Sequence, residues 1–174
     1  AASDVYKRQG ASSVVFDGTY KEYFLTVNNF HNDQTGTELE FQCSTNSGSS
    51  YGVTNTNTGI EAYHNQADTA TNLGYGTFYD FIQSTDYINF GGTTGGSGSA
   101  DDECTSGWLR IFDPANTTYQ KHWQLESSTI THSETAVRLQ CSGYFNTTSA
   151  VNAINFKCNS GNIIHGDFCL YGIS

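Results

Sequence analysis

Apolar and polar side chains alternate at every second position in many short runs of this chain. The alternation is cleanest in Thr37–Ser44, where Leu39, Phe41 and Cys43 are separated by polar residues. Successive side chains of a strand point to opposite faces, so this pattern predicts strands with one buried face. The runs predicted to be strands are Ser12–Phe16, Tyr20–Phe30, Thr37–Ser44, Ile60–His64, Thr77–Ile82, Asp86–Phe90, Trp108–Phe112, Thr118–Glu126, Ala136–Ser142, Ile154–Cys158 and Phe168–Tyr171.

Polar turn residues separate these runs, and no stretch shows the 3.6-residue period of a helix. Strands at this spacing are typical of a sandwich or a barrel, and the lack of crossover helices argues against a parallel sheet. The pattern therefore predicts an all-β fold, an antiparallel β-sandwich of about ten strands in two packed sheets. A jelly-roll-like strand order is the leading topology, with an immunoglobulin-like order left open.

Two connections matter for the architecture. Asn159-Ser160-Gly161-Asn162 favours a tight reversal, so we expect the last two strands to be neighbours. Gly91–Glu103 is rich in Gly and Ser and has little apolar surface to bury, which predicts a long mobile loop. Because strand signals resume at Trp108, we interpret this segment as a loop and not as a linker between domains.

The first nine residues read AASDVYKRQ, which is the translation of the transposase adaptor used to prepare sequencing libraries. We therefore interpret Ala1–Gln9 as translated adaptor and not as native protein. A sequence of this origin comes from shotgun sequencing of a metagenome. Gly10–Ser174 has the length of one domain, and we expect it to be the C-terminal part of a longer protein.

The charge of the chain limits its partners. The net charge is −10, with only 7 Lys and Arg residues in 174. Phosphate backbones are bound through Lys and Arg, so nucleic acid is not an expected partner, and neither is an anionic membrane surface. No apolar run approaches the ~18 residues of a membrane-spanning segment.

The cysteines and acidic residues predict neither a disulfide framework nor a metal site. The five cysteines include no C-x-x-C pair, and Cys43, Cys141 and Cys158 share faces with apolar residues, as reduced core thiols do. Three successive acids, Asp101 to Glu103, would alternate faces in an extended chain. A solvated acidic loop is therefore favoured over a calcium site, and no cofactor is expected.

Catalytic motifs are missing, but aromatic residues indicate a surface for binding sugars. The chain has no H-E-x-x-H motif and no phosphate-binding glycine loop, so we do not expect an enzyme. Trp108 falls on the opposite face from Leu109 and Ile111, and several tyrosines lie in or near loops. Such rings either fill the core or stack on a ligand, and both alternatives stay open. The candidate recognition residues are Asp101, Asp102, Glu103, Trp108, Tyr75 and Tyr79.

Four stretches carry a resemblance to a known group. They read SSVVFDGTYKEYFLTVNNFH, TGTELEFQCSTNSGSSY, GWLRIFDPANTTYQKHW and INFKCNSGNIIHGDFCLYGI, and they cover nearly all of Ser12–Ile173. In them the chain resembles a diffuse group of uncharacterised marine bacteriophage proteins described as virion structural or tail-associated. Cys169 departs from the ending S-G-N-I-x-x-G-x-x-x-L-Y-G at a position where a polar residue is usual. The residues that fit this ending are Ser160, Gly161, Asn162, Ile163, Gly166, Leu170, Tyr171 and Gly172.

The resemblance implies a β-sandwich displayed on a phage particle, and it carries over no catalytic or binding residue. We expect a non-enzymatic structural protein of the virion, in the tail, a fibre or the capsid surface, assembled in the host cytoplasm. Host-surface recognition would use loops, with Gly91–Glu103 as the first candidate. Other virion proteins are the expected partners, and a host-surface glycan and a homo-oligomer remain open. The alternative is a lectin-like carbohydrate-binding module of a secreted bacterial protein.

Overall fold

The structure, a computed structural model, describes residues 3–6, 16–92 and 96–174. These residues contain eleven strands and one short 3-10 turn at Thr77–Tyr79, and no α-helix. The strands are β1 (Ser3–Tyr6), β2 (Glu22–Asn32), β3 (Leu39–Ser44), β4 (Asn55–Asn65), β5 (Thr71–Tyr75), β6 (Ile88–Asn89), β7 (Thr105–Phe112), β8 (Lys121–Ile130), β9 (Thr135–Phe145), β10 (Ala153–Cys158) and β11 (Ile163–Ile173).

The strands form two antiparallel sheets. The larger sheet has eight strands in the order β1-β11-β2-β7-β8-β9-β4-β5, and the smaller has three in the order β10-β3-β6. The predicted all-β fold with two antiparallel sheets is confirmed. The finer prediction of a jelly-roll-like order is not confirmed by this arrangement of eight strands and three.

A chain of aromatic rings joins the two sheets in the core. Phe41 of β3 meets Trp123 of β8 edge-on, with ring centroids 5.6 Å apart, and lies 6.0 Å from Phe156 of β10. Phe156 in turn packs on Phe168 of β11 at 5.2 Å. Edge-to-face rings at these distances add to the free energy of burying their apolar surface. The predicted inward positions of Leu39, Phe41 and Cys43 are confirmed, because all three are buried.

The last two strands are not neighbours, so the prediction of a closing pair is wrong. β10 pairs with β3 in the smaller sheet, whereas β11 pairs with β2 in the larger one. The connection between them is fixed to the β2–β3 turn, where the Asp33 carboxylate accepts hydrogen bonds from Asn162 N and Nδ2, both at 2.7 Å. Turn residues predict a reversal of the chain, but they do not determine which strand the reversed chain pairs with.

The prediction that Gly91–Glu103 is a mobile loop is wrong for its described residues, 91–92 and 96–103. Ser97 N donates to Thr37 O at 2.9 Å, and Asn32 Nδ2 donates to Ser97 Oγ at 2.7 Å. A Cβ on Gly96 would lie 2.7 Å from the backbone carbon of Gly36. The small residues therefore let this segment approach the β2–β3 turn closely enough for backbone hydrogen bonds.

Two further strand predictions have different outcomes. Thr77–Ile82 is not a strand, because a 3-10 turn occupies its first half and β5 lies just before it. In Ser12–Phe16, residues 12–15 lie outside the described part of the chain.

Ser3–Tyr6 pairs antiparallel with β11 at one edge of the larger sheet. The interpretation of Ala1–Gln9 as translated adaptor stays a prediction.

Candidate functional site

The two faces of the larger sheet differ in exposure. Along β8, Trp123 and Leu125 point into the core, whereas Gln124 and Glu126 point the other way. The same alternation runs along β9, where Leu139 is buried and Gln140 is exposed. We call the surface that points away from the core the outer face.

Strand pairing sets the outward side chains in rows across the sheet, because directly opposite residues share a face. The first row crosses the centre of β4, β9, β8, β7 and β2. The second row lies beside it, two residues away on each strand. The first row is Thr58, Ser142, Gln124, Arg110 and Phe24, and the second is Ile60, Gln140, Glu126, Trp108 and Thr26.

Two adjoining hollows form a shallow groove on this face, with volumes of about 400 and 430 Å³. Both are lined by Thr58, Gln124 and Ser142, so they are continuous. The small side chains of Thr58 and Ser142 lower the floor relative to the aromatic residues at its ends. We call these two hollows together the outer groove.

Trp108 stands at the first end of the outer groove and is partly exposed. Its ring is supported by Phe24, with centroids 5.8 Å apart and planes tilted by 31°. The Arg110 guanidinium lies 5.7 Å from the Phe24 ring centroid, and its Nε lies 2.8 Å from Glu22 Oε1. This packing fixes the position of Trp108 while leaving part of its ring accessible to a ligand.

Glu126 lies beside Trp108 and is held by two neighbours on β9. Arg138 Nε donates to Glu126 Oε1 at 2.9 Å, and Gln140 Nε2 donates to Glu126 Oε2 at 3.3 Å. A carboxylate oxygen has more than one lone pair, so Glu126 can accept a further hydrogen bond from a ligand hydroxyl.

The second end of the outer groove is also aromatic. His122 and Tyr144, outward neighbours on β8 and β9, have ring centroids 6.0 Å apart. Phe112 lines the same hollow. The groove therefore has aromatic rings at both ends and amides and hydroxyls between them, an arrangement suited to a ligand with apolar faces and many hydroxyl groups.

The largest pKa shifts belong to buried and half-buried groups of the sandwich. Burial, together with the nearby charge of Glu40, raises the pKa of Glu38 to about 7. Burial also raises the pKa of Glu40, and its partner Lys157, with Nζ 3.4 Å away, opposes that rise. Burial raises the pKa of the Cys141 thiol to about 11. Across residues 3–6, 16–92 and 96–174 no three His, Cys, Asp or Glu side chains converge as metal ligands do.

The structure brings only some of the predicted recognition residues to the outer face. Trp108 lies in the outer groove, and Tyr75, which is 56% exposed, lies opposite Ile60 at the β5 edge of the same face. The expectation that Tyr79 is available to a ligand is wrong, because it is 1% exposed. The short 3-10 turn directs it into the core, where its Oη donates to Glu61 Oε2 at 2.7 Å.

The acidic candidates form a turn that is separate from the groove. Asp101 and Asp102 are exposed in the turn before β7, and Glu103 Oε2 accepts a hydrogen bond from Ala100 N at 3.0 Å. They are therefore not brought together with Trp108. Further residues that line the groove or support Trp108 were missed from the sequence, although those within the predicted strands alternate with inward residues. They are Phe24, Gln124, Glu126, Gln140 and Tyr144.

Comparison with known proteins finds no relative of this chain. No family model matches the chain, no curated protein matches it, and no solved structure matches its fold. Among the described residues no helix is long and apolar enough to cross a membrane. The functional argument therefore depends on the outer groove itself.

Proposed function

We propose that this chain is a non-enzymatic component of a phage virion and that it binds a host-surface carbohydrate through the outer groove. The resemblance of its strand and turn motifs to phage virion proteins supports the first part. The groove supports the second part, and it replaces the Gly91–Glu103 loop as the candidate recognition surface because Ser97 of that loop is hydrogen-bonded to Thr37 and Asn32.

The observation that carries the proposal is the placement of Trp108 beside Gln124, Glu126 and Gln140. A pyranose ring has an apolar face that can stack on an indole and a rim of hydroxyls that both donate and accept hydrogen bonds. The amides of Gln124 and Gln140 supply donors and acceptors, and Glu126 supplies an acceptor. Phe24 holds the Trp108 ring in place, and Arg138 holds the Glu126 carboxylate. Because these two side chains are already fixed, binding a ligand costs little of their conformational entropy.

The charges around the groove favour a neutral glycan over an anionic one. Arg138 is paired with Glu126 at 2.8 Å and Arg110 with Glu22 at 2.8 Å, so neither guanidinium is available as an isolated positive charge. The net charge of −10 adds a repulsive field for anions. We therefore expect neutral hexose-containing glycans to bind and sialylated or sulfated ones not to bind.

A glycan array probed with the full chain tests this proposal, followed by calorimetry with the glycan that binds best. Trp108→Ala should weaken binding roughly tenfold or more, which corresponds to about 1.4 kcal/mol. Tyr119→Ala is the matched control, since Tyr119 is 71% exposed and does not line the groove. An array without a bound glycan, or equal affinities of Trp108→Ala and the unmodified chain, would contradict the proposal.

A secreted bacterial lectin would use the same groove, so binding data alone do not separate it from a virion protein. The genes that flank this one on a longer assembled sequence do. Capsid, portal or tail genes support the virion protein, whereas glycosidase genes support the secreted lectin-like module. This test is independent of the array, so the place of action and the ligand are examined separately.

A further inference from the structure

A further hollow lies on the outer face beyond Glu126, and it continues the line of the outer groove. Its volume is about 560 Å³, and it is lined by residues of β4, β5, β8 and β9. Ala62, Ser128 and Arg138, which lie in one row across β4, β8 and β9, belong to this lining, and so does Ala136 of β9. We call this cavity the third hollow.

The outer groove and the third hollow follow the same strands from one end to the other. On β9 the outward side chains are every second residue from Tyr144 to Ala136, and each of them lines one of the hollows. The same holds on β4 from Thr56 to His64. Tyr144 and Ala136 are eight residues apart, which is about 27 Å along an extended strand. The hollows therefore form one line parallel to the strands, much longer than a single sugar ring.

The boundary between the outer groove and the third hollow is the pair of Glu126 and Arg138. Arg138 Nε and Nη2 lie 2.9 and 2.8 Å from Glu126 Oε1. A guanidinium has five N–H donors, so others remain for the hydroxyl and ring oxygens of a sugar. The Arg138 side chain is 59% exposed, which leaves these donors accessible. A neutral glycan can therefore cross this boundary with its oxygens hydrogen-bonded.

Exposed apolar side chains cluster around the third hollow. Seven large apolar side chains are exposed in the described part of the chain, and four of them lie on this part of the outer face. Leu73 of β5 lines the hollow opposite Ala62 and is 72% exposed. An apolar cluster with a polar rim is typical of a binding surface. The four side chains are Ile60, Leu73, Tyr75 and Ile130.

We propose that the outer groove and the third hollow together bind one extended chain of neutral hexose units, laid parallel to the strands of the larger sheet. This inference rests on the proposed function, because it assigns the shape and length of the glycan that the groove binds. Trp108 and Leu73 would contact the apolar faces of different units of the chain, and Arg138 would donate to the oxygens between them. Hexoses joined by equatorial bonds form extended ribbons, whereas axial bonds make the chain coil. The line of hollows therefore favours a ribbon-forming glycan.

The test measures how affinity depends on the length of the glycan. Cello- and chito-oligosaccharides are neutral and form ribbons, and calorimetry with the full chain uses both series from the disaccharide upwards. In one series or both the dissociation constant should fall by about tenfold or more and then level off, once the glycan fills the outer groove and the third hollow. Malto-oligosaccharides of the same lengths coil and should not show this fall. Equal affinities at all lengths would overturn the inference.

Failure of this inference and failure of the proposed function give different results. A chain that binds a disaccharide as tightly as the longer members of its series retains a glycan site in the outer groove and loses only the extended one. A chain that binds neither series, but binds another glycan on the array, also loses only the extended one. If the array shows no bound glycan either, both proposals are wrong.

Leu73→Ser tests the third hollow separately from the outer groove. It should weaken binding of the longest oligosaccharide about fivefold and leave binding of the disaccharide unchanged, because only the longer glycan reaches Leu73. Ile82→Ser is the matched control, since Ile82 is 76% exposed and lines none of the hollows. Equal affinity of Leu73→Ser and the unmodified chain for the longest oligosaccharide would overturn the inference.

Two further measurements distinguish a glycan site from an interface with another protein chain. The longest oligosaccharide should shift the backbone amide NMR signals of Ser128 and Ala136, whereas the disaccharide should shift those around Gln124 alone. Leu73→Ser should leave the mass measured by light scattering unchanged. Shifts confined to the outer groove with the longest oligosaccharide would contradict the inference. A mass of two copies that returns to one in Leu73→Ser would make the third hollow a protein interface and overturn it.

Discussion

The inner and outer faces of the larger sheet are made by the same strands, and their side chains meet different requirements. On the inner face Trp123, Leu125 and Phe145 are between 0% and 2% exposed and pack against the smaller sheet. On the outer face Trp108 and Gln124 border a groove open to solvent. The two tryptophans therefore belong to different parts of the molecule, although they lie on adjacent strands.

This difference separates stability from binding. An inner side chain is surrounded by other atoms, so its volume matters and its loss leaves a cavity. An outer side chain has water on one side, so its removal costs less stability and mainly changes what the surface can bind. The predictions below run from the largest expected effect on stability to the smallest.

Phe41→Ala should cause the largest loss of stability. Phe41 is fully buried and contacts the rings of Trp123 and Phe156, so its removal leaves a cavity between the two sheets. We expect the free energy of unfolding to fall by about 3–5 kcal/mol, measured by denaturant titration. Ile164→Ala is the control at an exposed position, with an expected change within about 0.5 kcal/mol. Similar losses in both variants would mean that Phe41 is not a core residue.

Gly143→Ala should cause the second-largest loss of stability, because there is no room for a methyl group at this position of β9. A Cβ would lie 2.5 Å from both Thr56 O and Asn57 Cβ and 2.8 Å from the Trp123 ring. Overpacking of this kind costs about 1–3 kcal/mol. The adjacent Ser142→Ala, on the outer face, should change stability by no more than about 0.5 kcal/mol. Equal denaturation midpoints for the two variants would contradict the assignment of faces on β9.

Glu38→Gln should make stability less dependent on pH. Burial raises the pKa of Glu38 in the folded state to about 7 from an ordinary value of 4.5. The folded state therefore binds more protons than the unfolded state between these values, and stability falls as the pH rises through that window. At pH 8 the Gln variant should be more stable by about 1 kcal/mol, a value reduced for the partial exposure of this side chain.

The same variant should lose most of this advantage at pH 5, where Glu38 of the unmodified chain is largely protonated. Denaturant titrations at the two pH values measure the difference. Asp102→Asn, in an exposed turn, is the matched control and should show no such change with pH. A Gln variant that is less stable than the unmodified chain at pH 8 would contradict the raised pKa.

Glu126→Gln should have the smallest effect on stability and a clear effect on binding. The ion pair with Arg138 is partly exposed to solvent, so its loss should cost less than about 1 kcal/mol. Affinity for the glycan should fall several-fold, because an amide is a weaker acceptor than a carboxylate. Glu134→Gln, in an exposed turn away from the groove, should change neither quantity. Unchanged affinity in Glu126→Gln would remove this residue from the site.

Alternation predicts the faces of long strands and does not predict their partners. Leu39, Phe41 and Cys43 are inward as expected, because alternate residues of a strand share one face. The prediction that the last two strands pair with each other failed because strand pairing depends on distant residues. The connection between β10 and β11 is held by Asp33, more than a hundred residues upstream. The hydrogen bonds of Ser97 within Gly91–Glu103 were missed for a similar reason, because its partners Asn32 and Thr37 are about sixty residues upstream.

The candidate site could be predicted only in part for the same physical reason. The sequence put Trp108 on the opposite face from Leu109 and Ile111 but left open whether its ring fills the core or meets a ligand. Gln124 and Gln140 were on polar faces too, but their approach to Trp108 depends on the register of β7, β8 and β9. The prediction that Tyr79 contacts a ligand failed because a 3-10 turn, and not a strand or an exposed loop, sets the direction of its side chain.

Two-dimensional NMR of the tryptophan indole N–H signals tests the separation of the two faces most directly. The chain has two tryptophans, so the spectrum should contain two such signals. Addition of a neutral glycan selected on the array should shift the Trp108 signal and leave that of Trp123, which is 1% exposed, unchanged. A glycan that shifts the Asp101–Glu103 backbone signals and leaves Trp108 unchanged would contradict recognition through the outer groove.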